Sequence, residues 1–595
     1  MKKLFFLGAL FAVGLGFTAC SSDKDAVVND ASGQQIADNK GYVSLAISLP
    51  TNTANTTRAN DVFDDGLTGE YTVNNTTLLF FNGDETTSTL VESYTPSIAA
   101  WNKHGTSTDQ ITTVAKLVQS VSSQANDLYL LVVLNAVNLP TLTTGTTTVE
   151  DVLNATVSNP AAITAGTMLM TNAPLAVVPG GATNPSSSNV VKLVKIAKEN
   201  IYSTETEARS NPAAEVYVER IAVKVTVNSN SGTTENGALA YSLDGWALDN
   251  YNTSASMVRS TDGFASTPGF YNYYSDLVTT NKYRMIGGTA VGTNGKTGED
   301  LKTYYRIYWA KDANYDQDAG ATVGATTYPA LTTTTSPTFK TVYGGENPAY
   351  CFENTFDVGH QLYKNTTRVI MRLKFNDGEG FYTLGGDASK IYLIDTSVKT
   401  GTKISDKLKE FLMNLTDVKT WLTDNTKSGE TFGESDITSI TIAPKTGSTS
   451  EYEVTAIEFS TTKLNSAPTS ANYSDWVTAL NNAVDGITFY TGGYSYYTVL
   501  IKHFGDDLTP WTAGTHMSGG AYDDEGTAPI SRYLGRYGVL RNNWYDLNIN
   551  KVQQIGSATV PSVTGDGTTD DVVKSYISVK INVLSWAKRT QNVDL

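Results

Sequence analysis

Apolar side chains in this chain fall mostly at every second position, the spacing of strands that bury one face. The clearest case comes early. In residues 41–50, Val43, Leu45, Ile47 and Leu49 share one face, and Tyr42, Ser44, Ala46 and Ser48 share the other. Residues 71–82 and 127–137 also read as strands, the second so apolar that it is expected at the centre of a sandwich. Residues 215–227 read as one long alternating strand, preceded by the turn-prone Ser210-Asn211-Pro212. Short strands between polar turns then recur at 240–248, 303–309, 367–375, 390–395, 451–459, 487–490, 496–502, 544–550 and 576–584. Three stretches carry helical spacing instead. Ile111, Val114, Leu117, Val118 and Val121 predict one covering helix. Residues 405–423 predict another, with Leu408, Phe411, Leu412, Leu415, Val418 and Leu422 on one face and Ser405 as N-cap, and a shorter one is expected at 473–484. The pattern predicts an all-β protein of Greek-key β-sandwich domains with a few inserted helices. Its break near residue 212 divides the chain into 59–212 and 213–595.

Both ends depart from this pattern. Met1-Lys2-Lys3 is followed by an apolar run from Leu4 to Phe17, too short to span a bilayer stably but right for a signal peptide. Cys20 follows Phe17-Thr18-Ala19 and resembles a bacterial lipobox cysteine, which makes 1–20 a lipoprotein signal peptide and Cys20 the acylation site. Phe17 stands where leucine is usual. Beyond the 43–49 strand lies a polar stretch in which Arg58 is the sole Lys or Arg between Lys40 and Lys103. A trypsin-like protease would cut this loop between Arg58 and Ala59 and release the whole strand, so 21–58 reads as a pro-segment. At the other end, Ile577, Val579, Ile581 and Val583 line one face of a strand. After a polar break Val593 and Leu595 alternate again, and an extension of that kind needs a groove to fill.

Composition narrows the function classes. The 595 residues are 40% hydrophobic, enough for a real core, and the chain has 33 Tyr against 4 His, a profile of strands and exposed β surface. Net charge is −16 and becomes −17 when residues 1–58 are removed, so no basic surface invites nucleic acid. The four histidines, His104, His360, His503 and His516, are scattered without a zinc or nucleophile motif, and no cofactor is expected. Two cysteines, Cys20 and Cys351, give no disulfide framework. One run, Asp312, Asn314, Asp316 and Asp318, places oxygens at alternate positions as a calcium loop does. Gln317 stands where such a loop has glycine and Val323 where it has a bidentate Glu, so the run reads as an acidic surface loop, with a calcium site the weaker candidate.

Several segments together resemble the major fimbrillins of Bacteroidales, the type V pilins, and most specifically their Mfa-type shaft subunits. They are the lipobox at Cys20, the strand 43–49 with Thr57-Arg58-Ala59 after it, residues 217–225, Gly245-Trp-Ala-Leu-Asp-Asn250, residues 535–547, and the stretch from Val583-Leu-Ser-Trp586 to Gln591-Asn-Val-Asp-Leu595. Ser21-Ser-Asp-Lys-Asp25 likewise resembles the acidic export tag of Bacteroidetes surface lipoproteins. The resemblance implies two transthyretin-like domains, a lipidated precursor at the outer membrane, and an arginine-specific protease that cuts at Arg58-Ala59. It implies that Val43, Leu45, Ile47 and Leu49 are the strand removed, and that the tail with Trp586, Val593 and Leu595 is donated to a neighbour by strand exchange. Expected partners are copies of the chain itself, accessory tip and anchor subunits, and host or bacterial surface receptors in adhesion and biofilm formation. The alternatives are a tip or anchor subunit of such a pilus, and a surface glycan-binding lipoprotein that uses its aromatic residues as stacking platforms.

Overall fold

The computed structural model describes residues 40–48, 66–95, 115–122, 126–177, 190–210, 214–261, 285–293, 303–317, 322–323, 326–327, 331–332, 336–509, 511, 517–518, 521–522, 533–562, 567–573, 576–584 and 589–591. Its first sheet contains β1 (Lys40–Ser48), β2 (Thr76–Phe81), β3 (Leu90–Tyr94), β4 (Ala115–Ser122), β5 (Leu128–Leu134), β6 (Met170–Asn172), β7 (Val194–Ile196) and β8 (Ala214–Arg220). The strand order is β3-β2-β5-β6-β8-β1-β4, with β7 also paired to β5. β5 is apolar throughout because both its faces are covered. Leu128, Leu130, Val132 and Leu134 pack with Leu78, Phe80 and the β1 side chains. Leu131 and Val133 pack on the other side with Leu79, Phe81, Met257, Val258 and Phe352.

Most of the remaining described residues are built around two facing sheets. One sheet runs β12-β9-β20-β21-β22 and the facing sheet β10-β11-β13-β19. Their strands are β9 (Val223–Val227), β10 (Ser231–Thr233), β11 (Ala240–Asp249), β12 (Ala349–Cys351), β13 (Arg368–Phe375), β19 (Tyr494–Leu500), β20 (Trp544–Val552), β21 (Ile577–Leu584) and β22 (Arg589–Gln591). Val225, Leu547, Ile549 and Val579 from one sheet meet Leu243, Trp246, Met371, Leu373 and Tyr497 from the other in a common core. Between β13 and β19 is inserted a module with its own core. Its sheet β15-β14-β18-β17-β16 is formed by β14 (Phe381–Leu384), β15 (Tyr392–Leu393), β16 (Ile437–Pro444), β17 (Glu451–Phe459) and β18 (Ile487–Tyr490). The helices of this module and one short helix of the first half are α1 (Glu205–Ser210), α2 (Ile404–Asn414), α3 (Thr416–Asn425) and α4 (Ser470–Val484). The described residues thus form a mostly β protein with few helices.

Three local expectations change. The covering helix from Leu117, Val118 and Val121 is instead strand β4, because these residues find an antiparallel partner in β1. The helix expected at 405–423 is two helices that break at Leu415, whose backbone is extended. The N-cap of the first is Lys403, without a side-chain bond, while the Ser405 N–H donates to Asp395 Oδ1 at 3.2 Å. The single strand of 215–227 is interrupted at Ile221-Ala222, so that β8 belongs to the first sheet and β9 to the second.

Buried charge pins this crossover. Lys224 Nζ lies 2.9 Å from Glu70 Oε1, both side chains inaccessible to water, and the Tyr350 hydroxyl donates to the same carboxylate. Arg220 Nε donates to the Glu70 carbonyl at 2.6 Å, and Arg259 binds Glu219 at 2.9 Å. A charge removed from water at such a joint is tolerable only with its partner in place, so the pairs hold the crossover from β8 to β9.

Candidate functional site

The strand read from residues 43–49 is β1, and it lies between two other strands of the first sheet. It runs parallel to β8, with Leu45, Ala46, Ile47 and Ser48 opposite Ala214, Glu215, Val216 and Tyr217. On its other side it runs antiparallel to β4 over its whole length, from Lys40 opposite Ser122 to Ile47 opposite Ala115. At its start the Tyr42 N–H donates to the Tyr202 carbonyl at 2.7 Å, and the Tyr202 N–H donates back at 2.9 Å. Val43, Leu45 and Ile47 are each completely buried, against Leu78, Phe80, Leu130, Val132, Ile201 and Val216. At about 1.5–3 kcal/mol for each such side chain, β1 contributes roughly 4.5–9 kcal/mol of apolar burial before its ladder bonds. The site is therefore one of packing and backbone pairing, a slot whose dimensions are those of a single strand.

The other residues singled out by sequence are distributed as follows. Leu49, Cys20, Arg58, Ala59, Trp586, Val593 and Leu595 lie outside the described residues, as does Asp318. Of the C-terminal tail, β22 is described, and it folds back on its own chain: Gln591, Thr590 and Arg589 stand opposite Ile581, Asn582 and Val583 of β21. The acidic run does not aim its oxygens at one point. Asp312 and Asn314 are buried whereas Asp316 is exposed. Asp312 Oδ2 accepts from Asn252 Nδ2 at 2.7 Å and from the Thr355 N–H at 2.8 Å, and burial pushes its carboxyl well above the usual range. Asp312 thus serves to tie two loops together. Among the described residues no cluster of three or more His, Cys, Asp or Glu is placed to hold a metal ion.

Sequence reasoning missed the walls of the slot: β4, where the spacing predicts a helix, and Tyr202, which bonds the start of β1. A signal for β4 was present, since Leu117, Gln119 and Val121 alternate with Val118, Ser120 and Ser122 as well as fitting a helical stripe.

The described geometry is thus a buried strand held between β8 and β4, and a last described strand that pairs with its own chain. Residues 488–592 match the family model described as "Major fimbrial subunit protein type IV, Fimbrillin, C-terminal". The matched region holds β19, β20, β21 and β22, so this part of the chain is similar to the C-terminal region of fimbrillins. No curated protein sequence matches the chain. Among solved structures, a putative cell adhesion protein from Parabacteroides distasonis is 10% identical, with 93% of this chain and 99% of that one covered and a TM-score of 0.37. A fimbrilin from Porphyromonas gingivalis is 14% identical, with 92% and 98% covered and a TM-score of 0.35. The tip fimbrial protein Mfa3 from the same species is 10% identical, with 91% and 99% covered and a TM-score of 0.26.

Proposed function

We propose that the chain is a shaft subunit exported as a lipoprotein lipidated at Cys20, cleaved between Arg58 and Ala59, and polymerised when a neighbour's C-terminal tail takes the place of β1. Adhesion and biofilm formation are then properties of the filament. The observation that carries this reading is the burial of Val43, Leu45 and Ile47 in a slot open to strand pairing on both sides. While the chain is intact, β1 and an incoming strand compete for one slot, and a covalently held strand wins by effective concentration. Cutting the connection at Arg58 removes that advantage. A donor running through Trp586, Val593 and Leu595 offers main-chain bonds for affinity and alternate side chains for register. A head-to-tail contact of this kind does not close, so the product is an open filament.

The test is Arg58→Ala. The variant is expected to remain a soluble or lipid-held monomer with residues 41–58 still attached, and the wild-type chain recovered from sheared filaments is expected to begin at Ala59. Ordinary filaments from the variant, seen by electron microscopy, would refute the reading.

A further inference from the structure

The two walls of the slot are not equivalent. β8 has a second neighbour, β6, whose Asn172, Thr171 and Met170 stand opposite Val218, Glu219 and Arg220, so β8 keeps a ladder when β1 is absent. β4 ends the strand order, and its only described strand partner is β1. Its pairing with β1 is also the longer, eight register positions against four on the β8 side. A lone strand separated from its sheet has backbone N–H and C=O groups that water satisfies as well as a ladder does, and it gains nothing from staying extended.

We propose that Ala115–Ser122 is a capture arm: it leaves the sheet when β1 is removed, pairs first with the incoming strand of a second copy, and rebuilds the outer wall of the slot around it. This rests on the polymerisation reading above and specifies how the same slot is filled. The occupant must run antiparallel to the arm and parallel to β8, with apolar side chains at alternate positions entering where Val43, Leu45 and Ile47 lay. An arm freed from the sheet reaches further than a fixed edge, so the long antiparallel ladder forms first. The short parallel one closes as the apolar side chains enter.

Hydrogen exchange of the 115–122 amides, read by mass spectrometry, tests this on three states of the wild-type protein: precursor, cleaved subunit from which the segment ending at Arg58 has been released, and filament. Protection is expected in the first, loss in the second and recovery in the third. Successive N–H groups of a strand point to opposite sides, so exactly one of Val118→Pro and Gln119→Pro removes a bond to the occupant. That variant should still be cut at Arg58 but lose elongation, while the other elongates like wild type, an asymmetry that misfolding alone does not produce. If the amides stay protected in cleaved, unpolymerised subunits, or if both variants elongate normally, the arm is refuted and the polymerisation reading stands. If cleaved wild-type subunits form no filaments, the polymerisation reading falls and the arm with it.

Discussion

Leu45 is the middle of the three buried side chains of β1 and stands between Leu117 of β4 and Ala214 of β8. Leu45→Ala deletes its side chain beyond Cβ from a fully enclosed position, which costs about 2–5 kcal/mol depending on how far the surroundings collapse. In the intact precursor this is a loss of stability, because β1 is part of the folded sheet. Once Arg58 has been cut, β1 is held only non-covalently, and the same free energy appears as weaker retention of the cleaved strand. At 1.4 kcal/mol per decade, the affinity should fall by about 30-fold to several thousand-fold. The assay mixes purified Leu45→Ala precursor with protease. Release of the segment ending at Arg58 is followed by mass spectrometry and filament growth by light scattering. Val398→Ala, at a side chain 99% exposed, serves as control. Faster peptide release and a shortened lag before growth are expected for Leu45→Ala alone. If it releases the peptide and polymerises at the wild-type rate, β1 is not what occupies the slot against the donor, and the competition argument fails.

Lys224→Met should cost about 3–5 kcal/mol, since it leaves Glu70 buried without its cation, and the double variant with Glu70→Gln should recover most of the loss. The urea midpoint measures both, and a double variant no more stable than the single would refute the pairing argument. The neighbours Asp570 and Asp571 should respond to pH with opposite sign. Burial acts to raise Asp571, but Arg536, whose Nε donates to it at 2.7 Å and Nη2 at 2.9 Å, holds its carboxylate below the usual range. Its stabilisation is therefore present at neutral pH and lost as pH falls through the carboxylate range. Burial pushes Asp570 well up, so its contribution is present in acid and lost as pH rises. Asp571→Asn should lower the thermal midpoint at neutral pH and Asp570→Asn should not, with both differences shrinking in acid; an equal loss at neutral pH would overturn the assignment. Deleting Thr590–Leu595 leaves β21 in place, so the subunit should fold and be cleaved yet fail to elongate, and negative-stain filament lengths equal to the full chain would locate the donor elsewhere.

The strand of Val43, Leu45 and Ile47 was legible in the sequence because alternation is a local property: once the segment is extended, three apolar side chains necessarily share a face. The same holds for β21 and for α4, whose spacing admits one reading. Residues 115–122 were not legible. Leu117, Val118 and Val121 satisfy both a helical stripe and a strand, and the decision came from β1, a segment distant in sequence whose backbone pairs with them residue by residue. The break at Ile221-Ala222 left a trace in the sequence, where the apolar positions shift from even, Val216 and Val218, to odd, Ile221, Val223, Val225 and Val227. That the two halves join different sheets is visible only in their strand partners. By itself the sequence determined which faces are apolar and where single strands lie. Which strand lies beside which was settled by tertiary structure, because a ladder's hydrogen bonds belong to two segments at once and neither segment alone specifies its partner.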